Sequence, residues 1–284
     1  MIWTENSASL HRKYIMKKTL IALAMYAFGS CYANGAYALY NYEREELQVS
    51  HNFQEVRSIA SITKLFTAVT ILRSGIDLDE KVKVTGKSGG RFPRGTMVSR
   101  MDLMKAMLIS SDNLASETLA NTYPGGFDAY LEDANRWITG WGLINTRVVD
   151  ASGLLAGNVS SVNDLVKFLA RIQDNTVIRA ITGERNTIVR VPKGKKTITV
   201  NLKNTNSTMF HFDNILISKT GTTNAAGKCV IMLVEKEGAA YAVVVLGQKN
   251  SQKRTALATD LITAKPTPKL EVVEPEPIEF KFPL

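Results

Sequence analysis

The spacing of apolar positions changes character twice along the chain. From Tyr37 to Tyr42 and from Glu46 to Val49, aromatic and aliphatic residues crowd into short runs separated by Glu43-Arg44-Glu45, the pattern of an antiparallel hairpin. After Ser61 the period lengthens: Leu65, Phe66, Val69 and Leu72 follow helical spacing, which predicts a helix opening at Ser61. Ser99-x-x-Asp102 reads as a capping box ahead of Leu103 to Ile109. Phe127, Tyr130, Leu131, Ala134, Trp137, Ile138 and Trp141 form one apolar helical face, a core stripe. Ser161-x-x-Asp164 starts a further helix with Leu165, Phe168, Leu169 and Ile172 turned inward. Strand-like runs then return at Thr197 to Leu202, Ile215 to Ser218, Cys229 to Val234 and Tyr241 to Leu246. The last two are joined by the turn Glu235-Lys236-Glu237-Gly238, and Thr255 to Ile262 reads as a closing helix. Strands at both ends therefore bracket a helical middle. The predicted class is α+β: an antiparallel sheet built from both chain ends, flanked by helices, with a helical insert.

The ends of the chain read differently. Lys17-Lys18, the apolar run Leu20 to Phe28 and the small residues up to Ala33 make an export signal, too short for a comfortable membrane span. Cleavage is expected after Ala33, so residues 1–33 are an extension plus signal peptide. Cutting at Ala36-Tyr37-Ala38 would remove half of a strand, and Gly29-Ser30-Cys31 offers lipidation at Cys31 as an alternative. From Lys265 on, Pro266, Pro268, Pro275 and Pro277 alternate with Glu and Lys, which predicts an extended tail without the periodicity of an amphipathic anchor. No stable transmembrane anchor is expected in the mature chain.

Composition narrows the partners. A chain of 284 residues, 45% hydrophobic and 21% charged, can bury one large core or two modest ones. The net charge of +9 suits nucleic acid, an anionic membrane or an anionic wall polymer. The clearest basic cluster, Lys193-Gly194-Lys195-Lys196, reads as a turn between strands, and no basic patch is interleaved with aromatics; nucleic acid is not the expected partner. Of two cysteines, Cys31 falls in the leader and Cys229 in an apolar run, so a buried inert thiol is expected and no disulfide framework. His11, His51 and His211 lack metal-ligand spacing, and neither a metal nor a cofactor is expected.

Three short motifs carry chemistry. Ser61-Ile62-Thr63-Lys64 is an S-x-x-K placed where a helix begins. Roughly one such match arises by chance in a chain this long, so its position matters more than its presence. One helical turn brings Ser61 and Lys64 onto one face, and burial can lower a lysine's pKa enough to make it a base. The bland alternative is a serine cap followed by a solvent-facing lysine. Two segments match S-x-N: Ser161-Val162-Asn163 is explained by capping, whereas Ser111-Asp112-Asn113 lies between helices, where a turn can aim its groups into a cleft. Two segments match K-[ST]-G. Lys87-Ser88-Gly89 sits in a glycine-rich turn; Lys219-Thr220-Gly221 follows Ile215-Leu216-Ile217 and so ends a strand, where Gly221 would let a substrate backbone approach.

The order S-x-x-K, S-x-N, K-T-G is the trio of β-lactamases and penicillin-binding proteins. From about Asn34 to Ile262 the chain resembles the penicillin-binding D-alanyl-D-alanine peptidases. The likeness extends through Ser58-Ile59-Ala60-Ser61, Asp150-Ala151-Ser152-Gly153-Leu154, Asn204-Thr205-Asn206 and Lys219 to Gly227. Tyr123-Pro124-Gly125-Gly126 and Asn224 to Cys229 look most like the small periplasmic endopeptidase branch. The resemblance implies a β-lactamase/transpeptidase-like fold with a catalytic domain over 34–264, and a periplasmic enzyme acting on peptidoglycan peptides. It implies Ser61 as nucleophile, Lys64 as its base and Ser111 as proton relay. Asn113, Lys219, Thr220, Gly221 and Thr222 would bind substrate, with the amides of Ser61 and Thr222 as oxyanion hole. β-Lactams would acylate Ser61. Asp112 receives no role. A serine β-lactamase is the competing enzyme, but E-x-x-L-N has no match after Asp150, and Glu117 to Asn121 directly follows Ser111-Asp112-Asn113. A non-catalytic wall-binding scaffold is the other alternative; it has no use for both Ser61 and Lys64.

Overall fold

A computed structural model describes residues 35–264. The signal-peptide and tail readings, with Cys31 and His11, lie outside the described residues. In chain order the elements are β1 (Ala36–Asn41), β2 (Glu46–His51), β3 (Arg57–Ser58), α1 (Thr63–Arg73), β4 (Lys81–Lys83), β5 (Met97–Ser99), α2 (Arg100–Ile109), α3 (Asn113–Asn121), α4 (Gly126–Gly140), β6 (Val159–Ser160), α5 (Val162–Ile172), α6 (Thr176–Thr182), β7 (Asn186–Lys193), β8 (Lys196–Lys203), β9 (Ile215–Thr223), β10 (Gly227–Lys236), β11 (Ala239–Gln248) and α7 (Ser251–Thr263). A short 3₁₀ turn, Ala60–Ile62, leads into α1.

The main sheet has the order β2-β1-β11-β10-β9, all antiparallel. It is the α+β arrangement read from the sequence, because β1 pairs with β11 along its whole length, Ala36 opposite Leu246 and Asn41 opposite Tyr241. The β10 and β11 runs are apolar at successive positions because both faces are covered. Cys229, Ile231, Leu233, Ala242, Val244 and Leu246 join the core of the helical insert. Val230, Met232, Val243 and Val245 meet Leu257, Ala258 and Leu261 of α7 on the other side. The Glu237-Gly238 turn has φ of 52° and 76°, the left-handed pair that a tight hairpin requires. Thr197 to Leu202, read as a strand, lies in β8, which pairs with β7 as a hairpin separate from the main sheet, and the turn read at Lys193-Gly194-Lys195-Lys196 joins the two.

The insert is held by caps and rings. Ser99, Asp112, Ser161 and Asn175 each accept an amide hydrogen bond three residues on, starting α2, α3, α5 and α6. Tyr130, Ala134, Trp137 and Ile138 of α4 are buried, as the stripe predicted. Phe66 of α1 stacks on Phe168 of α5 at 4.1 Å and on Trp137 at 5.8 Å. Emptying that stack with Phe168→Ala would cost about 3–5 kcal/mol. This packing fixes the axis of α1, and with it the direction in which Lys64 points.

Candidate active site

Three separated segments converge at the insert–sheet junction. Ser61 sits in the 3₁₀ turn and is half-buried; Lys64, on the first turn of α1, is fully buried. Lys64 Nζ donates to Ser61 Oγ at 2.9 Å, to Asn113 Oδ1 at 2.7 Å and to the Ser152 carbonyl at 2.5 Å. The capped, solvent-facing alternative is excluded: α1 has no side-chain cap, and Ser61 Oγ meets Lys64 and the Ser152 carbonyl, 3.4 Å away. Burial pushes the Lys64 ammonium down to about 7, although Asp150, Asp112 and Glu117 pull it back up. A neutral amine has two N–H groups and one lone pair. With Asn113 and Ser152 taking the N–H groups, the lone pair remains for the Ser61 hydroxyl.

Ser111 lies between α2 and α3 with φ of 56°, and Asn113 opens α3. Capping there falls to Asp112, whose Oδ1 accepts from Ala115 N at 2.8 Å, while Oδ2 accepts from Arg91 N at 2.6 Å. Ser111 is therefore free to face the sheet, where Lys219 Nζ donates to its Oγ at 2.9 Å. Lys219 is buried, and its pKa is held well below the usual lysine value by burial first and then by Lys64 and Arg254. The strand-end placement of Lys219-Thr220-Gly221 is corrected. β9 continues through Thr223, with Lys219, Thr220 and Gly221 opposite Ile231, Val230 and Cys229. β9 is the edge of the sheet, and its register puts Lys219 and Gly221 on the insert side with Ile231 and Cys229, and Thr220 on the other side with Val230. Thr220 Oγ1 lies 2.6 Å from Thr205 Oγ1, and Thr222 is exposed.

Glycine is required at two of these contacts. A Cβ at Gly221 would lie 2.7 Å from the Ile59 carbonyl and 3.1 Å from Ser61 N, so β9 abuts the Ala60–Ile62 turn. At Gly153, with φ of 81°, a Cβ would lie 1.9 Å from the Ala60 carbonyl. Ala60 itself holds φ of 47°, and it and Ser111, with φ of 56°, are strained non-glycine residues, the first adjoining Ser61 and the second bonded to Lys219.

Sequence reasoning assigned no role to several residues that build the site. The Ser152 carbonyl orients Lys64, and its turn is folded by Asp150. Asp150 Oδ1 accepts from Ser152 N and Gly153 N at 2.6 and 2.5 Å, and Oδ2 accepts from Leu155 N at 2.8 Å. Burial raises the Asp150 carboxyl, but these bonds outweigh it and hold the carboxyl below its usual range. The glycine in Asp150 to Leu154 was the available signal. Arg254 of α7 had none. It is buried, its Nε has no acceptor, and it lies close enough to depress Lys219. Cys229 is a buried free thiol raised to about 11 by burial, as expected. Glu117 is committed elsewhere: Oε2 accepts from Lys87 N at 2.6 Å and Ser88 N at 3.0 Å, and Ser88 Oγ donates to Oε1. Among the described residues, no group of three or more His, Cys, Asp or Glu is placed to hold a metal, and no helix is long and apolar enough to cross a membrane.

The family model described as D-alanyl-D-alanine carboxypeptidase matches residues 30–250. The chain belongs to this family. It is thus a serine-type D-alanyl-D-alanine peptidase, a hydrolase, of a family that binds peptidoglycan peptides and β-lactams. A D-alanyl-D-alanine endopeptidase of Escherichia coli is 32% identical over 257 residues, 88% of this chain and 82% of the relative. One of Pseudomonas aeruginosa is 33% identical, covering 81% and 76%. Among solved structures, the Streptomyces K15 DD-transpeptidase shares the fold with a TM-score of 0.75 at 22% identity, over 81% of this chain and 95% of that one. Penicillin-binding protein D2 of Listeria monocytogenes in its cefotaxime-bound form gives 0.69 at 27%, with the same coverage.

Proposed function

We propose that this family member is an exported periplasmic endopeptidase that cuts D-alanyl cross-links between peptidoglycan peptides, in preference to trimming a terminal D-alanine. Both 32–33% relatives carry the name endopeptidase. The carrying observation for the mechanism is the buried Lys64 amine, held by Asn113 and the Ser152 carbonyl with Ser61 Oγ as its third neighbour. Neutral Lys64 takes the Ser61 proton as Oγ attacks the D-alanyl carbonyl. The oxyanion is met by the amides of Ser61 and Thr222. Ser111, polarised by Lys219, passes its proton to the leaving amine and takes back the proton held by the Lys64 ammonium; the C–N bond breaks, and water hydrolyses the acyl-Ser61 ester. Asn113, Thr220 and Gly221 align the peptide. Arg254, whose buried Nε has no partner among the described residues, is available to a substrate carboxylate.

The test is mass spectrometry of the protein lacking residues 1–33 after incubation with a penicillin. The expected result is one stable adduct on Ser61, absent in Ser61→Ala. Rapid drug hydrolysis without an adduct would replace this reading with a lactamase, and neither adduct nor hydrolysis would favour a scaffold. Chromatography of cross-linked dimers and of pentapeptide monomers, digested in parallel, then separates endopeptidase from carboxypeptidase action.

A further inference from the structure

The β7–β8 hairpin is charged in a way that the peptidase mechanism leaves unused. Between Asn186 and Lys203 stand Arg190, Lys193, Lys195, Lys196 and Lys203, with no Asp or Glu. All five are exposed, and among the described residues none of them forms an ion pair. Val189, Val191, Val200 and Leu202 are buried on the inner face, so the cations occupy the outer face and the tip of a firmly seated hairpin.

Its root lies at the catalytic cleft. Ser110 Oγ, next to Ser111, donates to the Lys203 carbonyl at 3.1 Å and accepts from Lys203 N at 3.0 Å. Thr205, two residues on, meets Thr220. From Lys203 to Lys196 the strand carries positive charge roughly 23 Å away from that root. Like charges held together without counter-ions repel one another, and a polyanion relieves the repulsion.

We propose that the β7–β8 hairpin is a second binding surface, which docks the wall polymer through the free carboxylates of stem peptides beyond the one being cut. This rests on the peptidase reading above. A membrane surface is the less favoured occupant, because the tip Pro192-Lys193-Gly194-Lys195-Lys196 offers no aromatic or long aliphatic side chain to the interface.

The experiment uses the quadruple variant Arg190→Gln, Lys193→Gln, Lys195→Gln, Lys196→Gln. Co-sedimentation with insoluble wall sacculi, in a Ser61→Ala background that prevents digestion, reads docking. The chain with its native hairpin should bind roughly ten-fold more tightly than the variant at low salt. That advantage should vanish at high salt and on sacculi whose carboxylates have been amidated. Equal binding by the two chains, or an advantage that survives amidation, overturns the proposal. So does tighter binding to phosphatidylglycerol vesicles than to sacculi. With Ser61 intact, both chains should cleave a soluble cross-linked dimer with the same kcat/KM. If neither cleaves it, the peptidase reading fails while the sedimentation result still judges the hairpin.

Discussion

In the proposed mechanism Lys64 acts as a free amine, and its pKa of about 7 sets a pH dependence. Below that value the ammonium has no lone pair and Ser61 keeps its proton; above it the amine is neutral. Acylation by a penicillin should therefore rise with pH through about 7 and level off beyond it, which stopped-flow rates across pH 5.5 to 9 would check (about one decade per unit on the rising limb). Folding stability moves in the same direction. The unfolded lysine still holds its proton between about 7 and 10.5 while the folded one has lost it, so this residue's contribution to stability rises with pH across that window. Arg254 tests a different feature. A buried guanidinium with an unused donor is poised for a carboxylate, so Arg254→Gln should lower kcat/KM for carboxylate-bearing peptides about 10–100-fold. A substrate amidated at that carboxylate should lose little further, and this control separates a binding role from a fold defect.

At the scale of elements, α3 does two jobs through its first two turns. It presents Asn113 to Lys64, and through Asp112 and Glu117 it ties down the loop Gly86–Arg94. The fit is close, since a Cβ at Gly90 would lie 2.4 Å from the Leu114 side chain and 2.8 Å from Asp112 Oδ1. Arg94 completes the clamp by donating to the carbonyls of Gly86, Lys87 and Ser88 at 2.7–2.8 Å. A glutamate serving as the base for deacylating water would need a free oxygen, and Glu117 has spent both on the loop. Glu117→Gln should therefore leave the lifetime of the penicilloyl-Ser61 adduct unchanged within about two-fold, whereas Glu117→Ala should lower stability by about 1–3 kcal/mol. Adduct decay by intact mass and urea unfolding would check the two outcomes. A marked lengthening of the adduct's life in Glu117→Gln would reopen the lactamase reading.

These elements also show how far a sequence carries. Helices with a clear period and a cap, such as α5 behind Ser161, are legible because burial and capping act on nearby residues. The trio was legible because each of its three motifs is a short run and the runs keep their order along the chain. The Ser152 carbonyl was not, since every residue has a carbonyl and only the turn made by Asp150 and Gly153 aims this one at Lys64. The true extent of β9 was hidden for a related reason. Hydrophobicity reports burial against an apolar core, and beyond Ser218 β9 buries Lys219 and Thr220 against polar partners, Ser111 and Thr205. Sheet order is the least local property of all, because nothing in Ala36 to Asn41 names residues 241–246 as its partners.

That long-range pairing decides what the whole molecule needs in order to fold. β1 closes the sheet beside β11, and β2 reaches the sheet only through β1. At the other end, α7 covers the outer face with Leu257, Ala258, Leu261 and Ile262. We therefore expect residues 34–264 to be a complete catalytic domain: a protein trimmed to those bounds should melt within about 3 °C of one carrying the tail, and acylate at the same rate. A start at Leu39 instead removes Ala36, Tyr37 and Ala38, each at most 2% exposed, and strips three of the six β1–β11 residue pairs. Losing three buried side chains and their ladder exceeds the few kcal/mol by which domains of this size are stable, so that shorter protein should fail to fold or bind penicillin. Thermal unfolding of the two trimmed proteins decides between a catalytic domain that begins before β1 and one in which the first strand is dispensable. Of the two cut sites read in the sequence, the one at Ala33 leaves β1 whole, whereas one after Ala38 removes half of it.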